Sequence, residues 1–246
     1  VSPWIGTFHS IFAKFLRKHA HHVGLKSNFN ILDSEDQKKL IKQVLDYCKI
    51  DKEVSENIYL NEIQNLKDEK IFSQDKSKIS KYSSLENIDE IYNIYQQRLI
   101  EINAVDFGDI LLHSYFILTN NKDIQENHSN FIQHILIDEF QDTNLLQYDL
   151  IKLLLNNNQN LFCVGDDDQS IYAWRGAKIE NIINFPNEFN CEVVRLTKNY
   201  RSNNAILEAA SSVISNNKNR LGKSLESYNN EIPEQKINLK SFYSQE

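Results

Sequence analysis

The chain has 246 residues, 41% of them hydrophobic and 25% charged, with a formal net charge of −7. That is enough apolar material for one large or two moderate domains, and the acidic balance excludes a generally basic nucleic-acid coat while leaving room for a local groove that holds a strand. Three widely spaced cysteines, Cys48, Cys163 and Cys191, form no metal-ligand pattern and suit a reducing setting, and no apolar run approaches membrane-spanning length.

The chain opens on Gly6-Thr7-Phe8-His9-Ser10, and from about Ile11 to Ile132 its apolar spacing predicts a mainly helical block. A basic helix face with Lys14, Arg17 and Lys18 either meets phosphates or is plainly solvated. The histidines His19, His21 and His22 that follow read as a solvated helix end, since no cysteine or carboxylate spacing supports zinc. Ser34 with Gln37 forms a capping-box pattern ahead of the stripe Leu40, Ile41, Val44, Leu45 and Cys48. The polar stretch from Lys67 to Ser84 reads as a loop. A long helix is predicted from Leu85 to Ile102, burying Leu85, Ile88, Ile91, Tyr92, Tyr95 and Leu99, and another starts near Asp106 as its cap, burying Ile110, Leu111 and Leu118. The tyrosines of this block sit mostly at apolar helical positions and read as core.

The pattern then changes. Ile135-Leu136-Ile137 is a short apolar run leading into Asp138-Glu139-Phe140-Gln141-Asp142-Thr143, and Leu161-Phe162-Cys163-Val164 is another, ended by Gly165. Both read as buried strands. Leu145 to Leu155 is apolar almost all round, which suits a buried crossover helix and makes a βαβ unit. Two acidic clusters then fall on one sheet edge, at the carboxyl ends of the strands, where ligands bind in open α/β sheets. An Asp there can hold Mg²⁺ and a neighbouring Glu can activate water; the bland alternative is a surface or capping pair. Gly165 to Ala177 sets carboxylates, the amide of Gln169, the aromatics Tyr172 and Trp174, and Arg175 on one connection, a mixture suited to sensing a phosphate and stacking a base. A further strand is predicted over Val193-Val194-Arg195-Leu196. After it comes Asn199-Tyr200-Arg201-Ser202, then a helix carrying Ile206, Leu207, Ala210, Val213 and Ile214, capped by Asn203 or Asn204. An arginine just before a helix N-terminus is placed to meet an anion, although a lone arginine more commonly pairs with a local carboxylate.

Taken in order, Asp138 to Thr143, Gly165 to Ala177 and Asn199 to Ser202 resemble motifs II, III and IV of superfamily 1 DNA helicases of the UvrD/PcrA/Rep type. Gly6 to Ser10 resembles that family's Thr-Phe-His-Ser segment, and the resemblance continues through Ile31-Leu32-Asp33, Val105-Asp106-Phe107 and Asn217 to Leu225, so it covers nearly the whole chain. It implies a RecA-like P-loop NTPase fold, an α/β parallel sheet here incomplete and without its P-loop, carrying an inserted mainly α-helical subdomain. Residues 1–10 and 133–198 would belong to motor domain 1A, residues 11–132 to subdomain 1B, and residues 199–246 to the start of domain 2A, a tail expected to be poorly ordered or held by contacts with 1A.

The resemblance also implies roles. Asp138 would coordinate Mg²⁺ and Glu139 would activate the water that attacks the γ-phosphate of ATP. Gln169 would contact that phosphate, and Arg201 would reach it like an arginine finger. Trp174 with Tyr172 would stack on bases, while Thr7, His9 and Arg175 would touch or position the strand. The implied whole is a cytoplasmic ATP-dependent 3′ to 5′ helicase or translocase acting on single-stranded DNA and single-strand/duplex junctions. No Gly-x-x-x-x-Gly-Lys-Ser/Thr precedes motif II, and Gly222-Lys223-Ser224 lacks the earlier glycine, which would stand at Asn217. With Val1 as its first residue and no methionine, the chain reads as an internal fragment, expected to be inactive alone. Two other readings are a two-metal nuclease using Asp138, Glu139, Asp142 and Asp166 to Asp168, and a non-catalytic single-strand-binding or regulatory module derived from a helicase.

Overall fold

The computed structural model describes residues 4–50, 55–156, 160–218, 220–228, 238, 240 and 241. Its elements run α1 (Phe8–His19), β1 (Asn30–Ile31), α2 (Ser34–Tyr47), α3 (Glu56–Asp68), α4 (Lys76–Tyr82), α5 (Ile88–Glu101), β2 (Ala104–Val105), α6 (Phe107–Asn120), α7 (Lys122–Phe131), β3 (His134–Ile137), α8 (Leu145–Leu154), β4 (Asn160–Cys163), α9 (Ile179–Phe189), β5 (Lys198–Asn199), α10 (Asn204–Ile214) and β6 (Glu226–Ser227). The architecture is mixed α/β, and among the described residues the strands join in three separate parallel pairs, β1 with β2, β3 with β4 and β5 with β6.

Among the described residues, three apolar clusters organise these elements. In the first, Phe12, Phe15 and Leu16 of α1 meet Ile110, Leu111 and Ile117 of α6 and Leu146, Leu150 and Leu154 of α8. The second joins α2, α3, α4 and α5 through Ile41, Val44, Ile63, Leu66, Ile79, Ile91, Tyr92 and Tyr95. The third packs Ile137 and Phe140 against Tyr148 and Ile151 of α8 and Phe185 of α9. Helix α8 therefore faces two cores at once: Leu146, Leu150 and Leu154 repeat at four-residue spacing on one side while Tyr148 and Ile151 serve the other. This is why its sequence is apolar almost all round. It is capped at Asn144, whose side chain accepts the Gln147 N–H at 2.8 Å while the Gln147 side chain accepts the Asn144 N–H at 3.1 Å.

The helical block differs from the sequence reading at its ends. Asp33, not Ser34, caps α2, its Oδ1 accepting the N–H groups of Glu35 and Asp36 at 2.9 Å, while Gln37 donates to the Leu32 carbonyl. One charged carboxylate oxygen thus accepts two orphan amides of the first turn. Helix α5 starts at Ile88, after Asn87 in a left-handed conformation, three residues later than predicted. The stretch predicted as a loop from Lys67 holds the end of α3 and all of α4, and Lys67, Ser73, Ile79 and Ser83 are buried. Polar composition misled because Lys67 neutralises buried charge: its ammonium lies 2.6 Å from Asp106 and 2.7 Å from Asp109, and Tyr95 donates to Asp106 at 3.2 Å. Asp106 also caps α6 as predicted, accepting the Asp109 N–H at 2.9 Å. Tyr59, Tyr92 and Tyr95 are core residues, while Tyr47 and Tyr82 are exposed.

The predicted strand over Val193 to Leu196 is not formed among the described residues; those four residues carry no regular secondary structure, Leu196 is 80% exposed, and β5 begins at Lys198. A strand needs a ladder partner, and among the described residues pairing starts only where Lys198 meets Glu226. The strands β3 and β4, read as buried, are covered on one face: Ile137 is buried, but Leu136 and Phe162 are 74% and 61% exposed. Among the described residues no helix is long and apolar enough to cross a membrane.

Candidate active site

The site grows from the ends of β3 and β4. Their ladder pairs Ile137 with Cys163, and it continues past both strands: the Val164 N–H donates to the Ile137 carbonyl at 2.8 Å and the Phe140 N–H to the Val164 carbonyl at 2.9 Å. Asp138 and Glu139 are the two residues between those bonds, and both are exposed. Glu139 takes φ 50° and ψ 44°, a left-handed conformation that costs a non-glycine residue about 1 kcal/mol, and such outliers concentrate at working sites. The Glu139 N–H donates to Asp138 Oδ1 at 2.9 Å, leaving the second Asp138 oxygen for another partner.

Gln141 joins the two acidic loops. It is 1% exposed; its Nε2 donates to Glu139 Oε2 at 2.8 Å and its Oε1 accepts the Asp166 N–H at 2.9 Å. One amide thus sets both the glutamate and the start of the loop after β4. The close approach requires Gly165, where a Cβ would meet Gln141 Oε1 at 2.7 Å, Ile182 Cδ1 at 2.8 Å and the Phe140 backbone nitrogen at 3.2 Å. Gly165→Ala is therefore expected to cost about 1–3 kcal/mol as overpacking, read as a lower denaturant midpoint. Unchanged stability would show that the loops separate at no cost.

Asp166 begins a 3-10 turn over Asp167–Gln169. Its side chain accepts the Asp168 N–H at 3.0 Å and Gln169 Nε2 at 2.7 Å. Burial alone would raise the Asp166 pKa, but the Lys223 ammonium and the Gln169 amide outweigh it and hold the carboxyl below its ordinary range. Asp168 receives the Arg220 guanidinium through two hydrogen bonds, 2.9 and 2.6 Å, and Asp167 accepts the Leu221 N–H at 2.6 Å. The tail after Asn199 is thus held on the loop that follows β4. Gly222-Lys223-Ser224 lies between α10 and β6, so it leads into a strand and its lysine serves this ion pair.

This arrangement argues against the two-metal nuclease. The carboxylates of Asp166 to Asp168 already bind Arg220, Leu221 and Lys223, Asp142 Oδ1 is buried without a hydrogen-bond partner among the described residues, and burial followed by the Glu139 charge pushes the Asp142 carboxyl up. Among the described residues no group of three His, Cys, Asp or Glu side chains is arranged to hold a metal, the histidine cluster included. His19 instead packs on Phe15 at 4.8 Å and His128 at 5.3 Å, and burial first, then neighbouring positive charges, lower its pKa to about 4. The thiol of Cys163 is pushed up to about 12 by burial and then by Cys191, which makes it an inert, half-buried packing group.

The aromatics sit one turn further on. Trp174 is 73% exposed in a 3-10 turn over Ala173–Arg175, with Tyr172 at 6.4 Å and 51° to it. The Lys178 N–H and the Asn181 side chain both donate to the Thr143 carbonyl at 3.0 Å, tying the far side of this turn to the end of the loop after β3. The side chain of Arg175 lies outside the described residues. Arg201 is exposed just ahead of α10, which Asn203 caps; Asn199 Oδ1 fixes its backbone by accepting the Arg201 and Ser202 N–H groups at 2.9 and 2.8 Å. Thr7 caps α1, and His9 lies edge-on to Phe107 at 5.9 Å with its pKa lowered by burial, so it is a neutral hydrogen-bonding group at neutral pH. Arg17 donates to the carbonyls of Ser27 and Phe29 and stacks on the Phe29 ring, so one of the three basic residues on its face serves the fold.

The structure therefore links Glu139, Asp166 and Gln169 in one hydrogen-bonded network through Gln141. Among the described residues, Thr7, His9 and Arg201 take no part in it. The sequence reading overlooked Gln141, Arg220 and Lys223. Gln141, an amide within an acidic loop, was a visible signal; the basic pair had none, because its partners lie some fifty residues earlier.

Residues 1–190 match the UvrD/REP helicase N-terminal domain. Similar curated relatives include DNA helicase II of Haemophilus influenzae, 44% identical over 226 residues, which are 90% of this chain and 30% of the relative. The ATP-dependent DNA helicase PcrA of Staphylococcus aureus is 39% identical over 224 residues, covering 90% of this chain and 31% of the relative, and a probable DNA helicase II homolog of Rickettsia felis is 40% identical over 226 residues, covering 90% and 35%. The chain spans about a third of the length of these relatives. With the family's domain matched over most of the chain and the two acidic loops brought side by side, the chain belongs to the UvrD/REP helicase family.

Proposed function

We propose that this chain supplies part of the motor of a cytoplasmic ATP-dependent 3′ to 5′ DNA helicase, comprising portions of a RecA-like domain 1A (residues 1–10 and 133–198), subdomain 1B (residues 11–132) and the start of domain 2A (residues 199–246). The observation that carries this reading is the Gln141 bridge from Glu139 to the backbone of Asp166. A motor must couple hydrolysis to its grip on DNA, and this bridge joins the loop that would activate water to the loop that carries Gln169 and the aromatic pair.

Asp138 suits Mg²⁺, which is commonly held by one or two carboxylates plus substrate phosphates; one of its oxygens is satisfied by the Glu139 N–H and the other remains to ligate. When bound, the ion would neutralise charge on the β- and γ-phosphate oxygens. Glu139, oriented through Oε2 by Gln141, accepts the proton of the attacking water. Gln169 exchanges its bond to Asp166 for one to the γ-phosphate, and Arg201 meets the same phosphate as a counter-charge. The phosphate cradle is supplied from outside these residues.

The stacking surface for single-stranded DNA is Trp174 with Tyr172, and Thr7, His9 and Arg175 support the strand. Stacking tolerates any sequence, since every base has a π-face. Trp174→Ala is expected to weaken binding of a labelled oligothymidylate by about 1–3 kcal/mol, read by fluorescence anisotropy; unaltered affinity would remove the stacking role. ATP hydrolysis with and without single-stranded DNA, compared between this chain and the complete protein that contains it, tests the function as a whole. DNA-stimulated turnover in the complete protein supports the motor, and its absence there favours a non-catalytic binding module.

A further inference from the structure

Three consecutive carboxylates after β4 each bind a different group on one short segment after α10. Arg220 grips Asp168 through Nε and Nη2 at 2.9 and 2.6 Å, the Leu221 N–H meets Asp167 at 2.6 Å, and the Lys223 ammonium pairs with Asp166. The two ion pairs are largely covered, with side-chain exposures of 19% and 13% for Arg220 and Asp168, and 20% and 23% for Lys223 and Asp166. Partial burial limits salt screening, and a two-bond guanidinium contact fixes direction as well as distance.

Both ends of this clamp lead to residues of the proposed site. On one side, the Asp166 oxygen not used by Lys223 holds Gln169 at 2.7 Å. On the other, the clamped segment runs into β6, which pairs with β5, and β5 leads within two residues to Arg201. That unit is internally braced: the Tyr228 N–H donates to the Asn199 carbonyl at 2.9 Å, Ser227 Oγ donates to the Ser202 carbonyl at 2.9 Å, and the Tyr200 and Tyr228 rings lie 4.6 Å apart. A displacement of Arg220 or Lys223 is therefore carried to the backbone of Arg201.

We propose that Arg220 and Lys223 are positioning residues whose ion pairs with Asp168 and Asp166 set where the Arg201-bearing unit sits relative to the turn that carries Gln169. This rests on the ATPase reading above. The carboxylates of Asp166 to Asp168 orient the arginine of the next structural unit and take no part in the chemistry.

The test joins hydrogen exchange with a kinetic cycle. Arg220→Ala is expected to speed amide exchange across residues 198–228. In the complete protein it should lower kcat for DNA-stimulated ATP hydrolysis by about tenfold or more with KM for ATP within twofold. Arg220→Lys keeps the charge and loses the fork, so it should recover part of kcat, and the reciprocal pair Asp168→Arg with Arg220→Asp should recover more than either change alone. Because Arg220 acts through Arg201, adding Arg220→Ala to Arg201→Ala should cost little further, as expected for residues that work as a unit. Unchanged exchange, an unchanged kcat, or fully additive losses in the double variant would each overturn the proposal. Absence of DNA-stimulated hydrolysis in the unmodified complete protein would instead overturn the motor reading, and the positioning role with it.

Discussion

Glu139→Gln in the complete protein should reduce ATP turnover by about 10²–10⁴-fold, the usual contribution of a positioned general base, with nucleotide affinity within about twofold. The substitution is isosteric, and the new side-chain carbonyl can still accept the Gln141 amide that now bonds Glu139 Oε2 at 2.8 Å. The left-handed backbone at this residue and its N–H bond to Asp138 do not depend on the carboxylate's charge. The loop should therefore keep its shape and lose only the ability to accept a proton from water. Single-turnover hydrolysis alongside titration with a fluorescent nucleotide separates chemistry from binding. Wild-type turnover in this variant would remove Glu139 from its role and leave the bend between β3 and α8 without a catalytic explanation.

Lys67→Met is expected to lower folding stability by about 3–5 kcal/mol, the range for removing one partner of a buried charge cluster. Lys67 is fully buried, 2.6 Å from Asp106 and 2.7 Å from Asp109, with its ammonium 5.7 and 5.5 Å from the ring centres of Tyr92 and Tyr95. Methionine fills much of the volume and brings no charge, so two carboxylates are left facing each other out of water. In the native protein burial and the Asp109 charge already raise the Asp106 carboxyl, with Lys67 opposing them, while at Asp109 the lysine and His113 outweigh burial and hold the carboxyl low. Without the lysine both should move up. A carboxyl whose folded pKa exceeds its unfolded value favours the folded state below the unfolded pKa and loses that benefit as pH rises through the folded one. The deficit in Lys67→Met should therefore be largest near neutrality and shrink as pH falls. Urea unfolding at pH 7 and pH 5 checks both magnitude and sign, and a loss under about 1 kcal/mol at pH 7 would mean that the cluster is hydrated or already neutral.

Local signals in the sequence were read correctly where one element decides its own structure. The apolar runs ending in Asp138 and in Gly165, the all-round apolar helix between them, and the caps Asp106 and Asn203 are fixed by short-range sterics, periodicity and capping. The helicase family was legible for the same reason, since its motifs are contiguous in the chain, and the comparison with known domains bears it out.

Where a partner distant in sequence decides, the sequence was silent or misleading. Lys67 looked like the start of a polar loop because Asp106 and Asp109, its neutralising partners, come about forty residues later. Val193 to Leu196 looked like a strand because side-chain type marks strand preference, whereas a strand exists only where another backbone supplies the ladder. Nothing along the chain marked Arg220 and Lys223 as partners of Asp168 and Asp166; only the fold sets them together. By itself the sequence determined which residues could do chemistry and on which kinds of element they stand. Only the tertiary structure decided which of them meet, because hydrogen bonds and ion pairs act over a few ångströms in space while the residues that form them are separated by tens of positions along the chain.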